Sequence, residues 1–374
     1  MDGARGPDSS SVSDTIGCVI KAGAALAGLT MAAVAAAPGP VAAASAAANP
    51  AGLSISGQLV GVAAVSARSA WAVGSTSLLS PRTLIVHWDG SRWAQVSSPQ
   101  RGSLFGVAAA SARDAWAVGS TDGGRTLILH WNGQAWRRVP SPSPRLDDFL
   151  GGVDVLSARD AWAVGSAGSG PGRPLILHWN GIAWQQVASP DVRGGTLVSV
   201  AATSAGNAWA VGSANSAEPV LLHWDGRAWG RARSVISGRD DLLYNVAARG
   251  AGDIWVVGAD LRSSLSASLS MHWNGAAWIR ARAEVRGALT GVAVGPGGRT
   301  WAVGASSLVT STFRPVIARW NGQAWVRTAS PEPRGGALVR VAVASARDAW
   351  AVGAVIRGAK IRTLILHWNG RTWS

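Results

Sequence analysis

Apolar residues reach this chain in short bursts. From about residue 59 to the C-terminus, runs of four to seven apolar or small residues alternate with clusters of Gly, Ser, Pro, Asn and Asp. Runs of that length are too short for an ordinary helix, and their turn-forming borders predict β-strands. One stretch shows the full set: Leu104–Ala110, Ala115–Ser120, Thr126–Trp131 and Ala135–Val139. Ser111-Ala-Arg-Asp114 supplies the first turn. Asn132-Gly133 predicts a two-residue hairpin between the last two runs, because both residue types tolerate positive φ. The runs are nearly continuous rather than alternating, so both faces of each sheet are expected to be buried.

This set of four recurs. The tryptophan of a Trp-Ala-Val-Gly element falls at Trp71, Trp116, Trp162, Trp209, Trp255, Trp301 and Trp350, at intervals of 45, 46, 47, 46, 46 and 49 residues. A second tryptophan recurs at Trp88, Trp131, Trp179, Trp224, Trp273, Trp320 and Trp368, and a third follows each by five residues. Seven copies of three account for all 21 tryptophans of the chain. A fixed period of this size signals a repeat architecture. Seven four-stranded antiparallel meanders, stacked face to face around an axis, make a β-propeller. The first run of each unit, Gly-Val-Ala-Ala or close to it, is small, and the later ones carry the indoles. That matches a blade crowded at the axis and wide at the rim. The strands are therefore named A to D from axis to rim, and the fold class is an all-β, seven-bladed propeller over residues 49–374.

Asp114-Ala-Trp-Ala-Val-Gly119 followed by Leu127-Ile-Leu-His-Trp-Asn-Gly-Gln-Ala-Trp136 resembles the Trp-rich propeller repeats of many secreted bacterial proteins of unassigned function. Its strand order is similar to that of tectonin-type lectin repeats. The resemblance covers residues 59–374 and implies a fold rather than a reaction. Kelch repeats share the architecture but want a Gly-Gly pair that is absent here. The sialidase Asp-box places its aspartate one position earlier than Ser111-Ala-Arg-Asp-Ala-Trp116 does. WD repeats want an early Gly-His, whereas His-Trp here sits on the third strand.

Residues 1–48 stand outside the repeat. A polar start, the apolar run Ala22–Ala37 and the small residues from Val41 onward read as a secretory signal peptide. The run is shorter than the ~20 residues of a spanning helix, so no membrane span is expected in the mature chain. The alternative is a disordered Ala-rich tail, and Asp2, Asp8 and Asp14 fit that reading better. The signal reading makes the protein extracellular or attached to the cell envelope. Cys18, the one cysteine, lies in this leader, so the repeats hold no disulfide.

Charge adds a candidate surface. The chain carries 34 Lys and Arg against 20 Asp and Glu. In a four-stranded meander the D–A and B–C connections share one face of the disc. They vary between units, while the A–B and C–D turns hardly do, and variable loops on a rigid scaffold are where recognition concentrates. Each internal D–A connection holds an arginine: Arg101, Arg145, Arg193, Arg239, Arg286 and Arg334. A guanidinium matches carboxylate, sulfate or phosphate. The plainer reading is solvated loop charge copied with the repeat. Phe105, Phe149, Tyr244 and Phe313 are placed near the same face. Beside them a column of small residues turns polar at Ser199, Asn245 and Arg340. Aromatic rims around a few polar groups suit a sugar, or the rings simply plug the loops.

These features point to a non-catalytic binding module for carbohydrate or an anionic cell-envelope polymer, with a protein–protein scaffold as the alternative. A propeller-type glycoside hydrolase or lyase is a third reading. It would draw on Glu218, Glu284, Glu332, Tyr244 and the pairs Asp147-Asp148 and Asp240-Asp241, but no spacing fixes the required carboxylate separation. Specific nucleic-acid binding is not expected, because the charge is spread over turns and rim, where it protects exposed edges. No cofactor or metal is expected. His87, His130, His178, His223, His272 and His367 fall on separate blades, too far apart to share an ion.

Overall fold

The structure, a computed structural model, describes residues 55–374 apart from 78–79, 99, 170–171, 216–217, 237–239, 263–266 and 308–312. Those residues form seven β-sheets. Blade one is typical: strand A Gln58–Ser66, B Ser69–Ser75, C Thr83–Trp88 and D Trp93–Gln95, hydrogen-bonded in that order and antiparallel throughout. The seven A strands start at Gln58, Ser103, Phe149, Thr196, Asp241, Ala288 and Gly336. Each packs against the next, and the last against the first, so the sheets close into a ring. The chain is a seven-bladed β-propeller.

The Trp-Ala-Val-Gly element explains the geometry at the axis. Its glycine faces strand A so closely that a Cβ at Gly74 would run into the carbonyl oxygen of Gln58, and one at Gly119 into that of Ser103. Directly opposite, strand A carries a one-residue bulge in every blade, at Val60, Phe105, Gly151, Val198, Tyr244, Thr290 and Val339. A bulge inserts an unpaired residue and re-aims its side chain. The small residues that follow, such as Gly106 and Gly152, are small because the next blade's backbone is against them.

The indoles form the layer between blades. Trp71 of blade one meets Trp131 and Trp136 of blade two at centroid distances of 4.9 and 5.0 Å, the second edge-on at 87°. The pattern repeats round the disc to Trp350 of blade seven, which meets Trp88 and Trp93 of blade one. Strand-B and strand-D tryptophans are buried. Most of their indole N–H groups have no oxygen or nitrogen acceptor; edge-on packing is the arrangement in which such a group meets a ring face. The strand-C tryptophans other than Trp368 are half-buried, and six of the seven donate to the A–B turn, as Trp88 Nε1 does to Ala67 O at 3.0 Å and Trp131 Nε1 to Ala112 O at 3.2 Å.

Three details depart from expectation. The C–D turn is not centred on Asn132-Gly133. Asn132 N donates to Ala135 O, Gly133 alone takes positive φ (90°), and the Asn132 side chain accepts from the amides of Gln134 and Ala135. Asparagine there caps the turn rather than bending it. In blade six, Arg282–Ala283 of the incoming connection pairs in parallel with strand D, Ala324–Arg327, as a short fifth strand. Blade seven has three full strands, and its strand C is flanked by two pieces. Trp373 bridges Trp368, and His367 and Ser374 exchange backbone hydrogen bonds of 2.8 and 3.0 Å. Further along, Ser56 bridges Arg362, Thr363 N donates to Ile55 O and Gly57 N to Ile361 O. Arg101 and Gly102 meet Arg82 and Pro81 the same way. Ile55–Gly57 thus serve as the D–A connection of blade seven, not as its outer strand. In the sequence, Leu53-Ser-Ile-Ser56 is the one β-like candidate for completing that sheet from upstream; its Leu53 and Ser54 lie outside the described residues, as does the leader at 1–48. No helix among the described residues is long and apolar enough to cross a membrane.

Candidate binding face and axial cavity

The D–A and B–C connections are held by backbone and buried acids. Asp148 is fully buried; its Oδ2 accepts from Ser143 Oγ (3.0 Å) and Arg145 N (2.8 Å), and its Oδ1 from Gly168 N (2.9 Å). It therefore ties a D–A connection to the next B–C connection. Asp241, also buried, lies 3.3 Å from Arg262, which also holds Asp260 at 2.6 Å. The hydrogen bond from Arg262 is the main reason the Asp260 carboxyl titrates below its usual range.

On this frame Arg101, Arg145, Arg193, Arg286 and Arg334 are exposed, and none of them has a carboxylate within ion-pair distance among the described residues. Arg239 lies outside those residues. Because Arg101 pairs through its backbone with Arg82, the arginines sit where strand C enters, midway between axis and rim. The B–C arginines differ. Arg173 faces Asp191 at 3.4 Å, Arg262 is doubly paired, and Arg314 Nη1 donates to Glu332 O at 2.9 Å.

The other expected site residues split into separate groups. Phe105 and Phe149 pack edge-on at 6.1 Å. Phe149 is buried, and half-buried Phe105 lines the axial cavity. Tyr244 and Phe313 are buried together among Leu242, Ala259, Ala288 and Ala305. Burial pushes the Tyr244 phenol far above its usual range. Phe149, Tyr244 and Phe313 thus fill space under the loops instead of forming a rim. Asn245 donates to Ser199 Oγ (2.7 Å) and accepts from Val292 N (2.8 Å), linking blades four, five and six. These two polar residues are each other's partners. Arg340, from blade seven, reaches back to Thr290 O, Val339 O and Tyr244 O at 2.8, 3.1 and 3.3 Å. With Phe105, Ser199, Asn245 and the glycines of several A strands it lines a cavity of about 140 Å³ at the axis.

The loop glutamates and the histidines have structural partners. Glu218, Glu284 and Glu332 pair with Arg231, Arg282 and Arg327. Each histidine lies against the strand-B tryptophan of its own blade, stacked as His130 is on Trp116 at 4.2 Å or tilted as His87 is on Trp71 at the same distance. Each also meets the residue that opens strand B: Asp114 for His130 (2.8 Å), Ser69 for His87 (3.2 Å) and Asn207 for His223 (2.7 Å). No group of three metal-ligating side chains occurs among the described residues. Sequence reasoning passed over Asp154. Its carboxylate accepts from Val155 N and Ala202 N at 3.0 and 2.7 Å, and burial raises its pKa. It stands where blade two has Ala108, and that break in an alanine column was the available signal.

No protein-family model matches the chain, and no curated protein matches it in sequence. Solved structures are similar in fold. The structure described as YCF48 bound to D1 peptide aligns with a TM-score of 0.54 at 14% identity, covering 83% of this chain and 96% of that one. The WD40 β-propeller domain of Doa1 aligns with 0.57 at 12%, covering 84% and 95%. A puromycin-hydrolysing peptidase of Mycobacterium tuberculosis aligns with 0.58 at 12%, covering 84% of this chain and 52% of that one. At these identities the likeness is one of fold.

Proposed function

We propose that this protein is a non-catalytic binding module whose D–A/B–C face recognises an anionic polymer. The observation that carries the reading is the set of exposed arginines at repeat-equivalent places, Arg101, Arg145, Arg193, Arg286 and Arg334, none of them matched by an acid among the described residues. Arg173 and Arg262, on the same face, are by contrast paired with acids. Guanidinium groups spaced along a ring fit carboxylates or phosphates repeated along a chain. The lectin-like resemblance of the repeat and the signal-like leader favour a carbohydrate-based polymer of the cell envelope, met outside the cell. A neutral sugar has less to hold it, since three of the four non-tryptophan aromatics are buried.

A second reading, an acidic polypeptide segment, is favoured by a propeller of the same build that was solved bound to a peptide. Both readings rest on the same ring. The test is binding of a glycerol-phosphate polymer, of polyglutamate and of a neutral glycan, each titrated with salt. Changing the five arginines to Gln is expected to weaken anionic binding at least tenfold and leave the melting temperature nearly unchanged, since exposed substitutions shift stability little. Equal binding by both proteins sinks the proposal. Preference for polyglutamate selects the polypeptide reading, and neutral-glycan binding that survives high salt selects a lectin instead. N-terminal sequencing of protein recovered outside the cell tests the compartment.

A further inference from the structure

We propose that the axial cavity is a binding site for a single carboxylate group, held by the guanidinium of Arg340. The argument starts from what this side chain lacks. An arginine has five N–H donors. Two on Nη1 go to Thr290 O and Val339 O, and one on Nη2 goes to Tyr244 O. Nε and one Nη2 hydrogen have no protein acceptor among the described residues. A carboxylate accepts from such open guanidinium donors through charge-assisted hydrogen bonds.

Its charge is also unmatched. No carboxylate lies within ion-pair distance of Arg340 among the described residues. All three of its partners are neutral carbonyls, and burial draws its pKa down to about 10. It therefore stays charged at neutral pH in a place where the charge is poorly solvated, and an incoming anion gains from both facts. The carbonyls fix the side chain from blades five, six and seven, so the fork is held in place before a ligand arrives.

Space and lining agree. About 140 Å³ exceeds the ~30 Å³ share of one water and admits a group the size of acetate. The other polar side chains of the lining, Ser199 and Asn245, satisfy each other, which leaves Arg340 as the recognising group. Gly61, Gly106 and Gly152, from blades one to three, leave room on the rest of the wall. The anion would be either a free small carboxylate or the terminal carboxylate of a chain entering along the axis. This site is separate from the arginine ring, and either can fail without the other.

The experiment follows the Arg340 Nε–H resonance of the full chain while sodium acetate replaces sodium chloride at constant ionic strength. A short peptide is tested beside it as free acid and as amide. A saturable shift with acetate supports a free-anion site. A shift with the acid peptide only, absent with its amide, supports the chain-end source. Arg340→Lys keeps the charge without the fork; read in both proteins through the side-chain amide resonances of Asn245, which lines the same cavity, it is expected to weaken binding at least tenfold. The five-arginine Gln variant is expected to bind as wild type does. No saturable shift with either probe, or the same shift in chloride alone, overturns the proposal, and because the readout is wild-type protein, a misfolded variant leaves it decidable.

Discussion

Trp350, on strand B of the last blade, meets Trp93, on strand D of the first, edge to face, with ring centroids 5.0 Å apart and planes at 88°. Trp71 and Trp136, within consecutive blades, meet at 5.0 Å and 87°. The joint that closes the ring is therefore the same joint used everywhere else. Closure comes from a side-chain contact repeated without regard to where the chain starts.

Removing that contact is expected to open the ring. Trp350→Ala deletes an indole that is almost wholly buried, a change worth about 3–5 kcal/mol. The midpoint of urea denaturation should fall accordingly, and Trp116→Ala should fall by a similar amount. Trp350→Phe should lose less. A midpoint unmoved by Trp350→Ala would mean that the seam is not a packed joint.

The N-terminal side of the seam is held by backbone. A chain starting at Gln58 loses the bonds between Ile55 O and Thr363 N and between Gly57 N and Ile361 O. At about 0.5–1.5 kcal/mol each, the loss is roughly 1–3 kcal/mol. Hydrogen exchange should show the Thr363 amide losing protection in that chain but not in one starting at Ile55. Equal protection in the two chains rules the pairing out.

Most of the architecture was legible in the sequence because one spacing repeats seven times and the indoles mark it. What escaped was whatever lies between repeats. Ser199 and Asn245 read as two free polar groups, yet they stand 46 residues apart, one repeat, and so face each other across adjacent blades. Phe149 opens its strand level with Ser103, and Gly151 holds the bulge that Phe105 holds in blade two, so the two phenylalanines stand two residues apart in the repeat. Phe313 ends a loop in the sequence, and only the packing of three blades buries it.

Acid should weaken the fold through two particular histidines. Burial lowers the pKa of His87 and of His223 below the ordinary 6.5, against the opposing charges of Asp89 and Asp225. Both are therefore favoured neutral in the folded state. Their presence costs nothing above pH 6.5, and stability is lost as pH falls from there through the folded-state value. Ser69→Asp places beside His87 the carboxylate that Asp114 offers His130. The His87 titration, read by NMR, should move up, and each unit of movement recovers about 1.4 kcal/mol at low pH. A midpoint that stays put would show that the new carboxylate does not reach the ring.

The loop clamp at Asp148 should be costly to lose. Asp148→Ala leaves the amides of Arg145 and Gly168 and the hydroxyl of Ser143 without their shared acceptor. Donors orphaned in this way cost about 1–3 kcal/mol each when buried, and the partly exposed ones less, so a loss of roughly 2–4 kcal/mol is expected. Thermal melting reads the loss, and faster exchange at Gly168 locates it. A variant as stable as the parent would show that water replaces the carboxylate.

The bulge in strand A has a wider meaning. In each blade it takes one residue out of the ladder at the mouth of the axis, and the occupants are Val60, Phe105, Gly151, Val198, Tyr244, Thr290 and Val339. Three of these seven positions, Phe105, Gly151 and Val198, line the axial cavity, while Tyr244, Thr290 and Val339 are buried. A scaffold built from near-identical parts thus gains an asymmetric wall at its axis from one repeated irregularity.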